Sequence, residues 1–317
     1  MKKTILVSGA SGIVGYGILK SLRDFRDEYI TIGTTIHKDS VAPAFCDHFE
    51  FAEPTSSSKY LDWLCSIIKK YNVDLIIPSI EADMYLWNEN RAVIEELGCK
   101  LLLNNCSLID LCQDKWLFYS ELSKDVSEYL IPTKEFSIDA DFDYPIIVKP
   151  KRGFGSKGIH RITSSEELNK HHSSLSKDFI VQPLIGSDEE EYTVSGFFDK
   201  NHELIDYIAF KRKLSTEGFT DVAEVTDYDF SLILEDISAV VKPIGPTNFQ
   251  FRLHNGGMKL LEINPRVSSS TSIRSALGFN ECKYAVDYFL KGIRPKSFDK
   301  EKIIGKKAVR YTEDIIL

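Results

Sequence analysis

The stretch that decides the reading runs Phe249-Gln250-Phe251-Arg252-Leu253-His254-Asn255-Gly256-Gly257-Met258-Lys259-Leu260-Leu261-Glu262-Ile263-Asn264-Pro265-Arg266. Apolar residues alternate on either side of an Asn-Gly-Gly signal, the mark of two strands joined by a tight turn. Successive side chains of a strand point to opposite faces. Glu262, Asn264 and Arg266 therefore share one face of the second strand, and Leu261 and Ile263 share the apolar one. Gln250 arrives from the partner strand. One carboxylate, two amide oxygens and a guanidinium then converge on a small patch. Oxygen ligands of that kind suit Mg2+, which keeps several waters and takes one or two protein groups plus substrate phosphates. An edge hairpin with a polar outer face fits the same pattern, so the remainder of the chain has to supply a nucleotide site.

With 317 residues the chain has room for more than one domain, and its 43% apolar content is that of a globular protein. A formal charge of −8 argues against a duplex-binding surface, since nucleic-acid binders concentrate Lys and Arg. A local basic pocket for phosphates remains compatible with it. The six cysteines form no Cys-x-x-Cys pair, as expected of reduced thiols in a cytoplasmic protein. The apolar run after Met1-Lys2-Lys3 stops at Ser8-Gly9, too short for a secretion signal. No stretch approaches the roughly 18 apolar residues of a membrane span.

Residues 1–106 alternate strands (4–7, 29–34, 75–78, 100–103) with helices (14–23, 59–71, 88–97), the pattern of a parallel α/β sheet covered on both faces. The first turn, Gly9-Ala10-Ser11-Gly12-Ile13-Val14-Gly15, joins a strand to a helix, and its glycines allow an anion to approach the helix N-terminus. This loop is the basis of an alternative, an NAD(P)-dependent oxidoreductase. No Asp or Glu ends the second strand to hold a ribose, and no Tyr-x-x-x-Lys pair follows. Glu81 and Asp83 follow the third strand, at the edge where open α/β sheets bind ligands. They are read either as the solvated start of a helix or as contacts for a substrate amine.

Residues 105–123 read as one helical stretch with Ser107 as N-cap and Lys115 on its surface. A strand at 146–148 ends in Lys149-Pro150, followed by Lys151-Arg152-Gly153-Phe154-Gly155-Ser156-Lys157-Gly158. Three glycines among four cations supply free backbone N–H groups and positive charge, a cradle for anionic oxygens. The spacing is not that of a P-loop, and His160-Arg161-Ile162 continues as a strand, so the loop is either a hairpin flap or an ordinary basic turn. After a helix at 165–175, residues 179–186 form a strand whose backbone can meet an adenine edge. Of the acids 188–191 only Glu191 starts the next strand facing inward. Lys211-Arg212-Lys213 ends a strand, with Lys211 the candidate catalytic cation there. A helix at 230–241 precedes the hairpin. A Ser/Thr-rich loop at 267–275 and a helix at 281–291 follow it.

Lys115, Lys149, the Gly153-to-Gly158 loop, Gln182-Pro183-Leu184-Ile185, Glu191, Gln250, Glu262, Asn264 and Arg266, in this order, resemble the ATP-grasp superfamily. The nearest likeness is to the large subunit of carbamoyl-phosphate synthetase, through Asn264-Pro265-Arg266-Val267-Ser268 and Gly278-Phe279. The resemblance covers about residues 105–295. It implies an N-terminal α/β (pre-ATP-grasp) domain over 1–106 and a two-subdomain ATP-grasp fold over 107–317, with a flap subdomain at about 115–185 and a catalytic one at about 186–295. It also implies that Lys115 and Lys149 contact ATP phosphates and that the flap, with Gly153, Gly155, Ser156 and Gly158, closes over them. Gln182 to Ile185 would hold adenine and Glu191 the ribose. Gln250, Glu262 and Asn264 would hold Mg2+, for which Mn2+ can substitute, and Arg266 would stabilise a phosphorylated intermediate. The chain has a single ATP-grasp module where that synthetase has two, which argues against carbamoyl phosphate synthesis.

The expected activity is an Mg-dependent carboxylate–amine or carboxylate–thiol ligase working through an acyl phosphate. Its partners would be a small carboxylate and an amine, with no nucleic acid and no membrane. A homodimer is a family-level expectation. Besides the oxidoreductase, a non-catalytic ATP-binding protein is the other alternative.

Overall fold

The computed structural model describes residues 2–137, 143–153, 158–171 and 174–316. The N-terminal third builds the parallel sheet that its periodicity predicts. Strands β1 (Lys3–Val7), β2 (Tyr29–Thr35), β3 (His48–Phe51), β4 (Leu75–Ile77) and β5 (Lys100–Leu101) lie in the order β3-β2-β1-β4-β5. Every pairing in this sheet is parallel. Ile5, Leu6 and Val7 on the central strand are fully buried, as strands covered on both faces must be. Helix α1 (Ile13–Leu22) packs on one face; α2 (Tyr60–Tyr71) and α3 (Glu81–Glu89), which is followed by the short α4 (Arg91–Glu95), pack on the other. The turn into α1 needs its glycines: Gly9 has φ +57, and a Cβ on Gly15 would lie 2.3 Å from the Gly9 carbonyl.

Three local expectations are corrected. Strand β3 has no counterpart in the sequence reading: it is four residues long with exposed or half-buried side chains, and the pairing with β2 reveals it. The helix expected at 88–97 starts at Glu81 and breaks at Asn90. The stretch at 105–123 is two helices, α5 (Cys106–Cys112) and α6 (Lys115–Leu122). Asn105, not Ser107, caps the first, accepting from Leu108 N at 2.7 Å. Asp114 caps the second through Trp116 N (3.0 Å) and Leu117 N (3.1 Å).

A four-stranded antiparallel sheet follows. Its strands β6 (Lys134–Glu135), β7 (Ile146–Pro150), β8 (His160–Ile162) and β9 (Phe179–Pro183) run in the order β6-β9-β7-β8, with helix α7 (Ser165–His171) alongside. The second antiparallel sheet has the order β14-β13-β10-β11-β12-β15. Its strands are β10 (Glu191–Phe198), β11 (Leu204–Leu214), β12 (Thr220–Val225), β13 (Gly245–His254), β14 (Gly257–Asn264) and β15 (Lys307–Val309). One face carries Tyr192, Val194, Phe249, Phe251 and Ile263 onto helix α8 (Ser231–Val241) and helices α5 and α6. Alternation then forces Glu191, Thr193, Asn248, Gln250 and Arg252 onto the opposite face.

The β13–β14 hairpin turns through Asn255 (φ +50) and Gly256 (φ +79), the positive-φ pair of a type I′ turn. A bulge interrupts its register, with Gln250 facing Glu262 but Phe251 facing Leu260. Leu261 is the extra residue. It lines the cleft described below and does not share the core face with Ile263. The bulge shifts the side-chain phase, so that Leu260 and Ile263 both reach the core.

Residues 267–275, expected as loop, include helix α9 (Thr271–Ala276). With α10 (Glu281–Val286) it packs against α1. Beneath them lies a buried ion pair, Arg274 Nη1 to Glu281 Oε1 at 2.8 Å, both residues at most 1% exposed. Arg274 Nη2 also donates to Asn248 Oδ1 at 2.6 Å, and Asn248 faces Asn264 across the hairpin. Removing one partner of such a pair strands a buried charge. Arg274→Ala is therefore expected to destabilise the fold by about 3–5 kcal/mol, read as a lower urea midpoint at unchanged slope. No helix among the described residues is long and apolar enough to cross a membrane.

Candidate functional site

The polar face of the β10–β14 sheet, the β7–β8 hairpin and the first turns of α1 and α3 enclose a cleft of about 740 Å³. It collects residues from all parts of the sequence reading: Lys115, Lys149, Gly153, Gln182, Pro183, Ile185, Glu191, Gln250, Glu262, Asn264 and Arg266 all line it. Ile13, Val14 and Glu81 from the N-terminal sheet line its far end, with Ser268 and Ser269.

Glu262 is the hub. Its Oε1 accepts from Gln250 Nε2 at 2.6 Å and from Asn264 Nδ2 at 3.0 Å. Gln250 Oε1 in turn accepts from Arg212 Nη2 at 2.6 Å. Arg212 grips Glu191 Oε1 through Nε (3.1 Å) and Nη2 (2.7 Å), and Arg252 Nη2 takes Glu191 Oε2 at 2.8 Å. Beyond Asn264, Arg266 Nη2 meets Glu81 Oε1 at 2.6 Å and Nη1 donates to Val267 O at 2.9 Å.

Two ammonium groups complete the cleft. Lys115, the first residue of α6, donates to Gly153 O at 2.9 Å, and its backbone N–H to Lys151 O at 2.9 Å, so the α6 N-terminus is tied to the base of the flap. Burial lowers the Lys115 pKa against the raising effect of Glu262. Lys149 is pushed down to about 8 by burial, with Glu262 opposing and the charges of Lys115 and Arg252 assisting. Desolvated cations beside a carboxylate are poised to take up an anion.

Several expectations are not met as stated. Lys211 lies on the opposite side of β11 from the cleft and pairs with Glu190. Strand alternation brings Arg212 to the cleft in its place, and counting the two-residue period along 208–212 would have found it. Leu184 does not line the cleft, since its N–H is committed to Pro145 O at 2.9 Å. Gly158 packs over Pro150 outside it. Gly155 and Ser156 fall outside the described residues. Glu191 is 5% exposed with both oxygens claimed by guanidinium groups, while Asp188 and Glu189 border the same end of the cleft. Asp83 is buried and bonded to Thr55 at 2.6 Å, away from the cleft. Glu81 is no solvated helix start but the partner of Arg266, 185 residues away.

One carboxylate flanked by amides, two lysines and a hairpin over an antiparallel sheet, joined to a parallel α/β sheet, are the features of the ATP-grasp fold. Residues 175–314 match the family described as ATP-grasp in the biosynthetic pathway with Ter operon, and residues 16–102 match the PylC-like N-terminal domain. Among solved structures, the chain is similar to the Staphylococcus aureus N5-carboxyaminoimidazole synthetase complexed with ADP. There the TM-score is 0.72 at 18% identity, over 94% of this chain and 80% of that one. It is similar also to the biotin carboxylase domain of the Hydrogenobacter thermophilus 2-oxoglutarate carboxylase in complex with MgADP, ADP and bicarbonate. The TM-score is 0.73 at 14% identity, over 96% and 73% of the two chains. The Campylobacter jejuni biotin carboxylase gives 0.69 at 13% identity, over 90% and 70%. These TM-scores establish the shared fold. The likeness to carbamoyl-phosphate synthetase holds only loosely, at the level of the superfamily.

Proposed function

We propose that the chain is an ATP-dependent ligase that phosphorylates a small carboxylate and passes the acyl group to an amine or thiol. The observation that carries this reading is the shared cleft of Lys149 and Glu262, with the charge of one acting on the pKa of the other. The solved relatives bound to ADP, to MgADP and to bicarbonate support the same assignment. The division into an N-terminal unit over 1–106 and an ATP-grasp unit from 107 belongs to the proposal.

In this reading Lys115 and Lys149 hold the phosphates, and the β7–β8 hairpin covers them. Pro183 and Ile185 border the base, with Gln182 braced on Thr133 at 2.7 Å. Glu191 fixes Arg212 and Arg252 at the ribose–phosphate side. A carboxylate oxygen of the substrate attacks the γ-phosphorus and ADP leaves. The nucleophile then adds to the acyl carbon and expels phosphate. Arg266 sits where negative charge gathers in both steps. Donors at Glu262 and Asn264 fit Mg2+ or Mn2+, and a bound divalent cation would neutralise charge on the transferring phosphoryl group. Positioning and charge suffice for this chemistry.

The test is ligand-dependent stabilisation followed by product analysis. Mg-ATP should raise the melting temperature by the linkage expected of a ligand that binds only the folded state. ADP should then appear on addition of a carboxylate and an amine. NADPH stabilisation in place of Mg-ATP would return the N-terminal glycine loop to the oxidoreductase reading.

A pH dependence follows from Lys149. Its ammonium form binds phosphate, and in the free protein that form is lost as pH rises through about 8. Nucleotide binding must then restore the proton. Mg-ATP affinity is expected to fall above pH 8, with uptake of up to one proton per ATP bound. Calorimetry in buffers of different ionisation heat reads this directly.

A further inference from the structure

The amide of Gln250 is oriented by its neighbours without ambiguity. A guanidinium can only donate and an ionised carboxylate can only accept. Gln250 Oε1 therefore faces Arg212 and Nε2 faces Glu262, as the 2.6 Å distances on both sides show. Turning the amide to offer its oxygen toward Glu262 would set an NH2 group against Arg212, which is 5% exposed. Two donors would then face each other with little water to relieve them.

Charge points the same way. Arg212 and Arg252 share the single buried carboxylate of Glu191, and the further partner of Arg252, Asp188 at 3.0 Å, is largely exposed. Glu191 and Asp188, the carboxylates behind Gln250, are thus already engaged by guanidinium groups. On the other side of Glu262, both amides approach Oε1 alone. Glu262 Oε2 and Asn264 Oδ1 are left as the protein oxygens for a cation.

Resting on the reading of this cleft as a nucleotide site, we infer that it binds one divalent cation with the nucleotide, through Glu262 and Asn264, and that Arg212 supplies the second positive charge. Gln250 is a positioning residue in this arrangement. It relays Arg212 to Glu262 and does not ligate the metal, contrary to its expected membership of the metal set.

The test counts metal directly. The full chain is brought to equilibrium by dialysis against saturating non-hydrolysable adenylyl imidodiphosphate together with Mn2+, and the buffer outside gives the unbound concentrations. Retained Mn2+ and nucleotide are then measured per chain. The wild-type chain should hold one Mn2+ per bound nucleotide. Gln250→Ala should hold the same number, with Mn2+ affinity changed by no more than about twofold. Gln250→Glu, which replaces the donor by an acceptor oxygen, should gain a second Mn2+. A wild-type count of two, or loss of the retained Mn2+ in Gln250→Ala, overturns the inference. A chain that retains no nucleotide at all overturns instead the nucleotide reading beneath it.

Discussion

Glu262→Gln is expected to reduce ADP release by at least ~10²–10³-fold, the loss typical of removing one charge-stabilising group from a preorganised site. The substitution preserves size, so the effect isolates charge and acceptor capacity. Glu262 Oε1 accepts two amide N–H groups. A glutamine there offers one oxygen, and its own NH2 must face a donor or turn into the cleft. A cation bound as proposed would lose its protein carboxylate at the same time. Because Glu262 holds the Lys149 pKa up against burial, its neutralisation also drives Lys149 further toward the uncharged amine. The pH above which nucleotide affinity falls should therefore move below 8 in the variant. Glu262 is an exposed residue, so the unfolding free energy from urea titration should stay within about 0.5 kcal/mol of wild type. Retention of more than a tenth of the wild-type ADP release would remove Glu262 from the centre of the mechanism.

Legibility in the sequence tracked the range of the interaction that fixes each feature. The parallel sheet was readable because β1 and β4 are short apolar runs and α2 repeats its apolar residues at helical spacing, both local signals. The β13–β14 hairpin was readable because Asn255-Gly256 specifies its turn by itself. What was not readable depends on a partner strand or on distant chain. The bulge that moves Leu261 into the cleft exists only against β13. Edge strand β3 exists only against β2. The place of Arg212 in the cleft is hidden for a different reason. A run of three cations hides the alternation that apolar neighbours Ile208 and Phe210 would have disclosed. The immediate neighbours of Glu81 mark only a helix start, while its ion-pair partner is Arg266, 185 residues along the chain.

That long-range pair gives the second large effect. Arg266 and Glu81 are 13% and 18% exposed in their side chains, so their 2.6 Å contact is shielded from solvent and fixes the guanidinium in the cleft. Arg266→Ala is expected to cut kcat by ~10²–10³-fold while preserving the melting-temperature rise given by Mg-ATP, because Lys115 and Lys149 stay in place. Arg266→Lys should recover only a small part of the loss, since an ammonium cannot hold Glu81 and Val267 O while still presenting a flat donor edge to the proposed acyl phosphate. Glu81→Gln should show a milder loss, about tenfold, because the guanidinium survives but is less firmly aimed. Combining Glu81→Gln with Arg266→Ala separates the roles. If Glu81 acts only through Arg266, the double variant should be no slower than Arg266→Ala alone, a coupling of about 1 kcal/mol or more. Independent losses that add in full would mean that Glu81 meets the substrate itself, on the amine side of the reaction.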